Sequence, residues 1–416
     1  MQPAEVQRRT LRLLFIAQVI SGIGIAVGSS VGALLAADIA GIGVSGLAIS
    51  TNVVGAALFA VPATAIVHHY GRRLSLSAGY CTAAVGSILL VAAAVRNSVP
   101  LLFFGFFLFG GATAAGLQAR YAAVDLAPAA IRGRHLSLVV WATTIGAIIG
   151  PSLAPVAGQT VGAYGVPTLA GPFVFSAMLL GLAALLLFGL LRPDPAVVAR
   201  ELFGDSGARA AQPGIGAALR LVASLPAARL GVSAMAIGHV VMIGVMTMTP
   251  VHIRGAGHGA EYTLRIVGLV LSFHIAGMFA FAPVVGWLTD RIGRRPVIFA
   301  GIAILLIACA VSGTAGHDPV YLAGGLMLLG LGWSATMVAG STLLSDAISG
   351  EMRASAQGLS DLMMGLAGAT AGALSGVVVE AWSYATLTLL AALATAPLIV
   401  LVSLQPRADK QLSTGD

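Results

Sequence analysis

Charge is what this sequence has least of. Asp, Glu, Lys and Arg together make up 9% of its 416 residues, against roughly 25% in an ordinary soluble protein. That scarcity excludes a solvated surface for most of the chain, and hydrophobic residues, at 58%, take the place of the missing charge. Cysteine is nearly absent. Cys81 and Cys309 stand apart inside apolar runs, which excludes a disulfide framework and a cysteine zinc site. No paired nucleophile and base stands out, and no glycine-rich phosphate loop precedes a helix, so neither an enzyme nor a bound cofactor is expected. The apolar runs also lack the alternation of a porin strand, which leaves helices as the way to satisfy backbone polar groups in lipid.

What the chain does have is apolar stretches long enough to cross a bilayer, for which about 20 residues suffice. Twelve are read, at about 13–37, 43–67, 74–95, 101–124, 136–156, 168–191, 230–251, 265–289, 297–316, 320–345, 357–379 and 383–404. The expected fold class is therefore an all-α membrane protein of twelve transmembrane helices. The first run follows the basic segment Met1–Arg12 and is about 25 residues long, beyond the 7–15 of a signal-peptide core, so it is kept as a span. Placing both termini in the cytoplasm puts every Lys and Arg inside except Arg96, Arg254, Arg265 and the intramembrane Arg120. That asymmetry is what the positive-inside rule requires. The net charge of +7 thus reports topology and contact with the lipid bilayer, and no nucleic-acid partner is expected.

An internal repeat sets the domain organisation. Gly71-Arg72-Arg73 recurs as Gly293-Arg294-Arg295, and Asp125, seven residues before Arg132, recurs as Asp346, seven before Arg353. The offsets of 222, 221 and 221 residues predict two pseudo-symmetric six-helix bundles. These are residues 1–191 and 230–416, the latter ending in a short cytoplasmic tail, joined by a cytoplasmic linker at 192–229. Within the linker, the stretch beginning at Gly214 is suited to a short surface helix.

The seventh and eighth spans carry the most unusual side chains. Met235, His239, Met242 and Met246 follow at steps of four, three and four, which places them on one helix face over roughly 16 Å at 1.5 Å per residue. His274 and Met278 lie one turn apart on the next span. Thioether and neutral imidazole suit a soft ion such as Cu(I), and weak neutral sites let an ion leave as well as enter. Methionine is equally an ordinary gap-filler between packed helices. Elsewhere Gln18, Asn52, Gln118 and Arg120 are polar groups within spans, which are costly there unless they line a cavity or find partners. Asn52 is the repeat counterpart of His274.

The loop Gly286-Trp-Leu-Thr-Asp290-Arg291-Ile-Gly293-Arg294-Arg295 resembles the Gly-x-Leu-x-Asp-Arg-x-Gly-Arg-Arg/Lys motif of the major facilitator superfamily, and the resemblance extends over the whole chain. It implies a secondary transporter working by alternating access, probed at its gate by Asp290, Arg291, Arg294 and Arg295. The first-half copy is degraded, since His68 stands where the family has Asp; Asp361 on the eleventh span is therefore a candidate carboxylate for Arg72 or His68. Gly146-Ala-Ile-Ile-Gly150-Pro151 resembles a motif of the superfamily's proton-coupled antiporters, although close helix packing also accounts for it. Met242-x-x-x-Met246 with His274-x-x-x-Met278 resembles the CcoA-like copper importers of bacterial inner membranes, a branch whose relatives include riboflavin importers. Copper import is the leading expectation from these residues, followed by uptake of riboflavin or another flat heterocycle and then by proton-coupled efflux. A monomer in the bacterial inner membrane is expected.

Overall fold

The computed structural model describes residues 3–128, 132–203, 215–348 and 352–404; the side chains of His68, Arg132 and Arg353 fall outside that description. Among the described residues every regular element is helical. Eleven segments are long and apolar enough to cross a membrane. Spans one to four are α1 (Pro3–Ala40), α2 (Ile42–Tyr70), α3 (Arg72–Arg96) and α4 (Val99–Ala122).

The fifth expected span is the interrupted one. It runs as α5 (Arg132–Ile149), a 3-10 turn Gly150–Leu153 and α6 (Ala154–Gly162). Pro151 and Pro155 lack the N–H that a continuous helix needs, so the α-helical ladder breaks between them. The chain continues through α7 (Gly171–Leu190), with the linker helices α8 (Pro195–Phe203) and α9 (Ile215–Ser224). Next come α10 (Pro226–Arg254), α11 (Ala260–Phe279), α12 (Ala282–Ile292), α13 (Arg294–Thr314), α14 (Pro319–Ala347) and α15 (Met352–Ala381). The last span divides into α16 (Tyr384–Leu393) and α17 (Ala396–Leu404). Helices α11 and α12 form one crossing bent just before Pro283, and α16 and α17 another bent just before Pro397. Pro283 and Pro397 lack the N–H that would bond the carbonyls of Phe279 and Leu393, the residues at which α11 and α16 end, which explains both bends.

Exposure is inverted relative to a soluble protein. Leu58, Leu185 and Leu366 are 56%, 71% and 61% exposed, as expected where the solvent is hydrocarbon. Buried polar side chains such as Gln18 and Ser176 are instead held by hydrogen bonds within the bundle.

The chain divides into two compact units. The first comprises 1–208 with 249–272, the second 209–248 with 273–416. The division runs inside α10 and α11, whose residues 249–254 and 260–272 belong to the first unit while the rest of each helix belongs to the second. Pro250 lies within α10 beside that boundary.

In the first unit α1 and α5 cross backbone to backbone. A Cβ at Gly146 would fall 2.5 Å from the Val19 carbonyl oxygen, and one at Gly150 2.5 Å from Ala26 Cβ. Gly146 and Gly150 therefore act as packing residues, and Pro151 opens the 3-10 turn that follows. An aromatic cluster fills the interior, with Phe106 and Phe109 both edge-on to Phe173 at 6.0 and 6.3 Å. The second unit has one core cluster around Leu230, Ile298, Ile302 and Leu398, and another around Val232, Met235, Leu344 and Leu359. Helix α9, which begins at the residue after Gly214, buries Ala218 and Val222 in the latter.

Candidate functional site

The two arginine loops reproduce the internal repeat in three dimensions. Gly71 and Gly293 both end a helix with φ +90° and +94° and both start the next. That backbone region is open essentially to glycine alone. The arginine that follows each one reaches the aspartate that the repeat places at equivalent positions in the two halves. Arg72 binds Asp125 through Nε at 2.8 Å and a second nitrogen at 3.0 Å. Arg294 Nε binds Asp346 at 2.9 Å. The environments differ: the side chains of Arg72 and Asp125 are 12% and 15% exposed, those of Arg294 and Asp346 31% and 53%.

Gln118 joins the first of these networks, accepting from Arg72 at 2.8 Å and donating to Thr64 at 3.1 Å. The Asp194 carboxylate lies where a Gly71 side chain would be, accepts from the Arg73 N–H at 2.7 Å, and accepts from the Ala196 N–H at 2.9 Å. Asp361, the sequence candidate for Arg72, is exposed on α15. The correction is that the Arg72 guanidinium takes its carboxylate from Asp125, at the end of the adjacent helix in its own unit. The pairing of Asp361 with His68 that the sequence also offered lies outside the described side chains. In the second loop Asp290 lies 3.8 Å from Arg294, Arg291 covers the Trp287 ring at 5.0 Å, and Gly286 has open space where a Cβ would be. Arg295 is half-buried.

Gln18, expected to line a cavity, is instead 2% exposed. Its amide nitrogen donates to Thr143 at 3.1 Å, its oxygen accepts from the Tyr80 hydroxyl, and Ser21 donates to that hydroxyl at 3.2 Å. This is a satisfied structural network joining α1, α3 and α5. Arg120 is half-buried on α4, with no ion-pair partner among the described residues. Asn52 Oδ1 is buried without a hydrogen-bond partner.

The six soft side chains of the second unit are drawn to different neighbours. Met235 lies in the apolar cluster beside Gly340, and its sulfur accepts from Ser360 at 3.5 Å. His239 is bonded at Nδ1 by the Trp333 indole at 3.1 Å, and its other edge lies against Gly368. Met242 is 2% exposed and Met246 half-buried. His274 is fully buried, with Nδ1 2.8 Å from the Leu326 carbonyl oxygen. Met278 packs over Gly330 of α14. Among the described residues no group of three or more His, Cys, Asp or Glu could hold a metal ion. Two features lay beyond sequence reasoning: the unpartnered, buried Nε2 of His274, and an aromatic cluster in which Trp333 meets both His239 and Phe279 at 6.1 Å.

The segments of α10 and α11 that belong to the first unit are tied within it. Arg254 pairs with Asp38 of α1. Glu261 accepts from Gln159 of α6 at 2.5 Å, and the Ser272 hydroxyl lies 3.0 Å from the Ile148 carbonyl oxygen and 2.9 Å from the Ser152 hydroxyl. A cavity of about 280 Å³ lies beneath, lined by Leu35, Asp38, Asn97, Thr168, Arg254 and His258 among others.

Repeated membrane-spanning helices, two arginine–carboxylate loops related by an internal repeat, and buried polar side chains define a helical membrane transporter. The chain belongs to the major facilitator superfamily, whose family model matches residues 14–264 and 258–415. It is 38% identical over 403 residues to the MFS-type transporter YdeG of Bacillus subtilis, covering 95% of this chain and 91% of that protein. It is 28% identical over 363 residues to the riboflavin transporter RfnT of Brucella anthropi, covering 86% of each. The fold is also that of the nucleoside transporter NupG, with a TM-score of 0.72 at 19% identity over 96% of this chain and 98% of the other. These relatives are transporters, and the chain is a multi-pass membrane transporter rather than an enzyme.

Proposed function

We propose that this is a monomeric secondary transporter of the bacterial inner membrane, with both termini cytoplasmic, that takes up a small flat heterocycle of the riboflavin type by alternating access. The observation carrying this reading is the cluster of Trp333, His239 and Phe279, which joins two aromatic faces to one polar ring in the second unit. Aromatic faces stack on a flat conjugated solute, and a few polar groups orient it. The likeness to a riboflavin transporter over most of both chains supports the same cargo class.

Copper import is the second reading, and one observation favours it. His274 Nε2 is buried without a partner, a condition that costs about 1–3 kcal/mol unless something occupies it. Backbone support of Nδ1 with Nε2 left bare is also how metal-binding histidines are commonly held. Against it stands the dispersal of Met235, His239 and Met278 among separate neighbours.

Uptake of radiolabelled riboflavin and of copper by cells expressing the protein decides between the two. Riboflavin accumulation that survives Met242→Ala and His274→Ala, with copper unchanged from control cells, supports the first reading. Copper accumulation abolished by either substitution, with no riboflavin uptake, overturns it in favour of the second.

A further inference from the structure

His239 and His274, both on helices of the second unit, are held by opposite chemistry. The indole of Trp333 can only donate, so the nitrogen it binds in His239, Nδ1, must carry a lone pair. A neutral imidazole has one N–H, which in His239 is therefore at Nε2. The Leu326 carbonyl can only accept, so His274 must donate from Nδ1, leaving the lone pair at Nε2. His239 is a donor at its free nitrogen; His274 is an acceptor.

The surroundings of each ring fit these roles. A Cβ at position 368 would fall 2.5 Å from His239 Cδ2 and 2.8 Å from Nε2, so only glycine leaves room for that edge of the ring. His239 nevertheless stays half-buried, and it lies in the same cluster as Trp333 and Phe279. His274 is fully buried, with Gly330 of α14 packed against its backbone and against Met278.

We infer that Trp333 locks His239 as a hydrogen-bond donor through Nε2–H, which reads a carbonyl or ring-nitrogen acceptor on the cargo and is unavailable as a metal ligand. This rests on the reading of the cargo as a flat heterocycle, since such a ring carries acceptors on its edge. Trp333 is then a positioning residue and His239 a specificity determinant. A metal would have to displace the Nε2 proton to Nδ1 and break the indole bond; His274 alone presents a bare imidazole nitrogen.

The direct test needs no cargo. Nitrogen-15 NMR of the full chain, labelled at histidine and held in lipid nanodiscs, reports which ring nitrogen bears hydrogen, with His239→Gln and His274→Gln assigning the signals. The expected result is hydrogen on Nε2 of His239 and on Nδ1 of His274. Hydrogen on Nδ1 of His239 overturns the proposal.

Riboflavin uptake supplies the functional arm. Glutamine places an amide N–H near the position of Nε2, so His239→Gln is expected to keep uptake within about threefold while His239→Ala raises KM about tenfold, the size of one lost hydrogen bond. Trp333→Phe, which keeps a ring and loses the indole N–H, is expected to raise KM with little change in the maximal rate. Equal KM in the wild type and His239→Ala overturns the donor role. Absence of riboflavin uptake in the wild type overturns the cargo reading and the donor role with it, while the NMR result still decides the tautomer.

Discussion

Arg72 grips Asp125 with two bonds at the end of α4, and the pair is nearly buried. Its repeat counterpart, Arg294 with Asp346, makes one such bond in a more open setting. Exposed ion pairs contribute about 0–1 kcal/mol, whereas charged hydrogen bonds sheltered from water contribute about 1.5–3. Asp125→Asn is therefore expected to cost roughly 2 kcal/mol and Asp346→Asn under about 1, read as thermal unfolding in detergent. Equal losses would show that burial does not set the difference.

Gly71→Ala and Gly293→Ala each force a side chain into a backbone region that costs about 1–3 kcal/mol. The first also drives a methyl group into the Asp194 carboxylate. Both variants should unfold at lower temperature, Gly71→Ala the lower of the two. Gly181→Ala, helical and with open space around its Cβ, should unfold at or above the wild-type temperature. A normal melting temperature for Gly71→Ala would argue against the strain.

For Gln18 the network predicts a stability defect rather than a defect in cargo binding. Gln18→Ala leaves the Tyr80 and Thr143 hydroxyls without this partner and should cost about 1–3 kcal/mol. The KM of the folded fraction should stay within about twofold, since the amide has no free edge to offer a solute. A raised KM at unchanged stability would return Gln18 to the cavity.

The pair between Asp38 and Arg254 is 42–43% exposed, so little global stability is expected from it. In the proposed alternating-access cycle its contribution falls instead on the balance between states that do and do not dock the end of α10 on α1. Asp38→Asn should alter transport rate by up to about fivefold with no measurable change in melting temperature, the ratio that 1 kcal/mol produces. Exchanging the two residues, Asp38→Arg with Arg254→Asp, should restore the rate. Failure of the exchange to restore it would mean that the charges act separately.

Much of this architecture was legible because repeats and apolar lengths are local properties. The offset of 221 residues placed Asp125 and Asp346 in equivalent positions, and both meet the equivalent arginine. The break in the fifth span was not read from the sequence, where 136–156 forms one apolar stretch, although Pro151 and Pro155 account for it. Side-chain partners were harder to read. A spacing of 3.6 residues shows that Met235, His239 and Met242 share a face of α10, but it says nothing about whether the facing surface is open, apolar or armed with an indole. For the same reason Gln18 looked like a cavity residue until Tyr80 and Thr143 were found beside it. Asp361 seemed suited to Arg72 because the sequence could not show how close the end of α4 comes to the start of α3.

Pro250 sits where α10 changes allegiance from one unit to the other. Its ring cannot supply the N–H that the Met246 carbonyl would accept in an unbroken helix, so α10 is softest at the point where its neighbours change. Residues 249–254 and the stretch bearing His239 are thus joined through a position that lacks one helical hydrogen bond. Alanine at position 250 would restore that bond and stiffen α10 there.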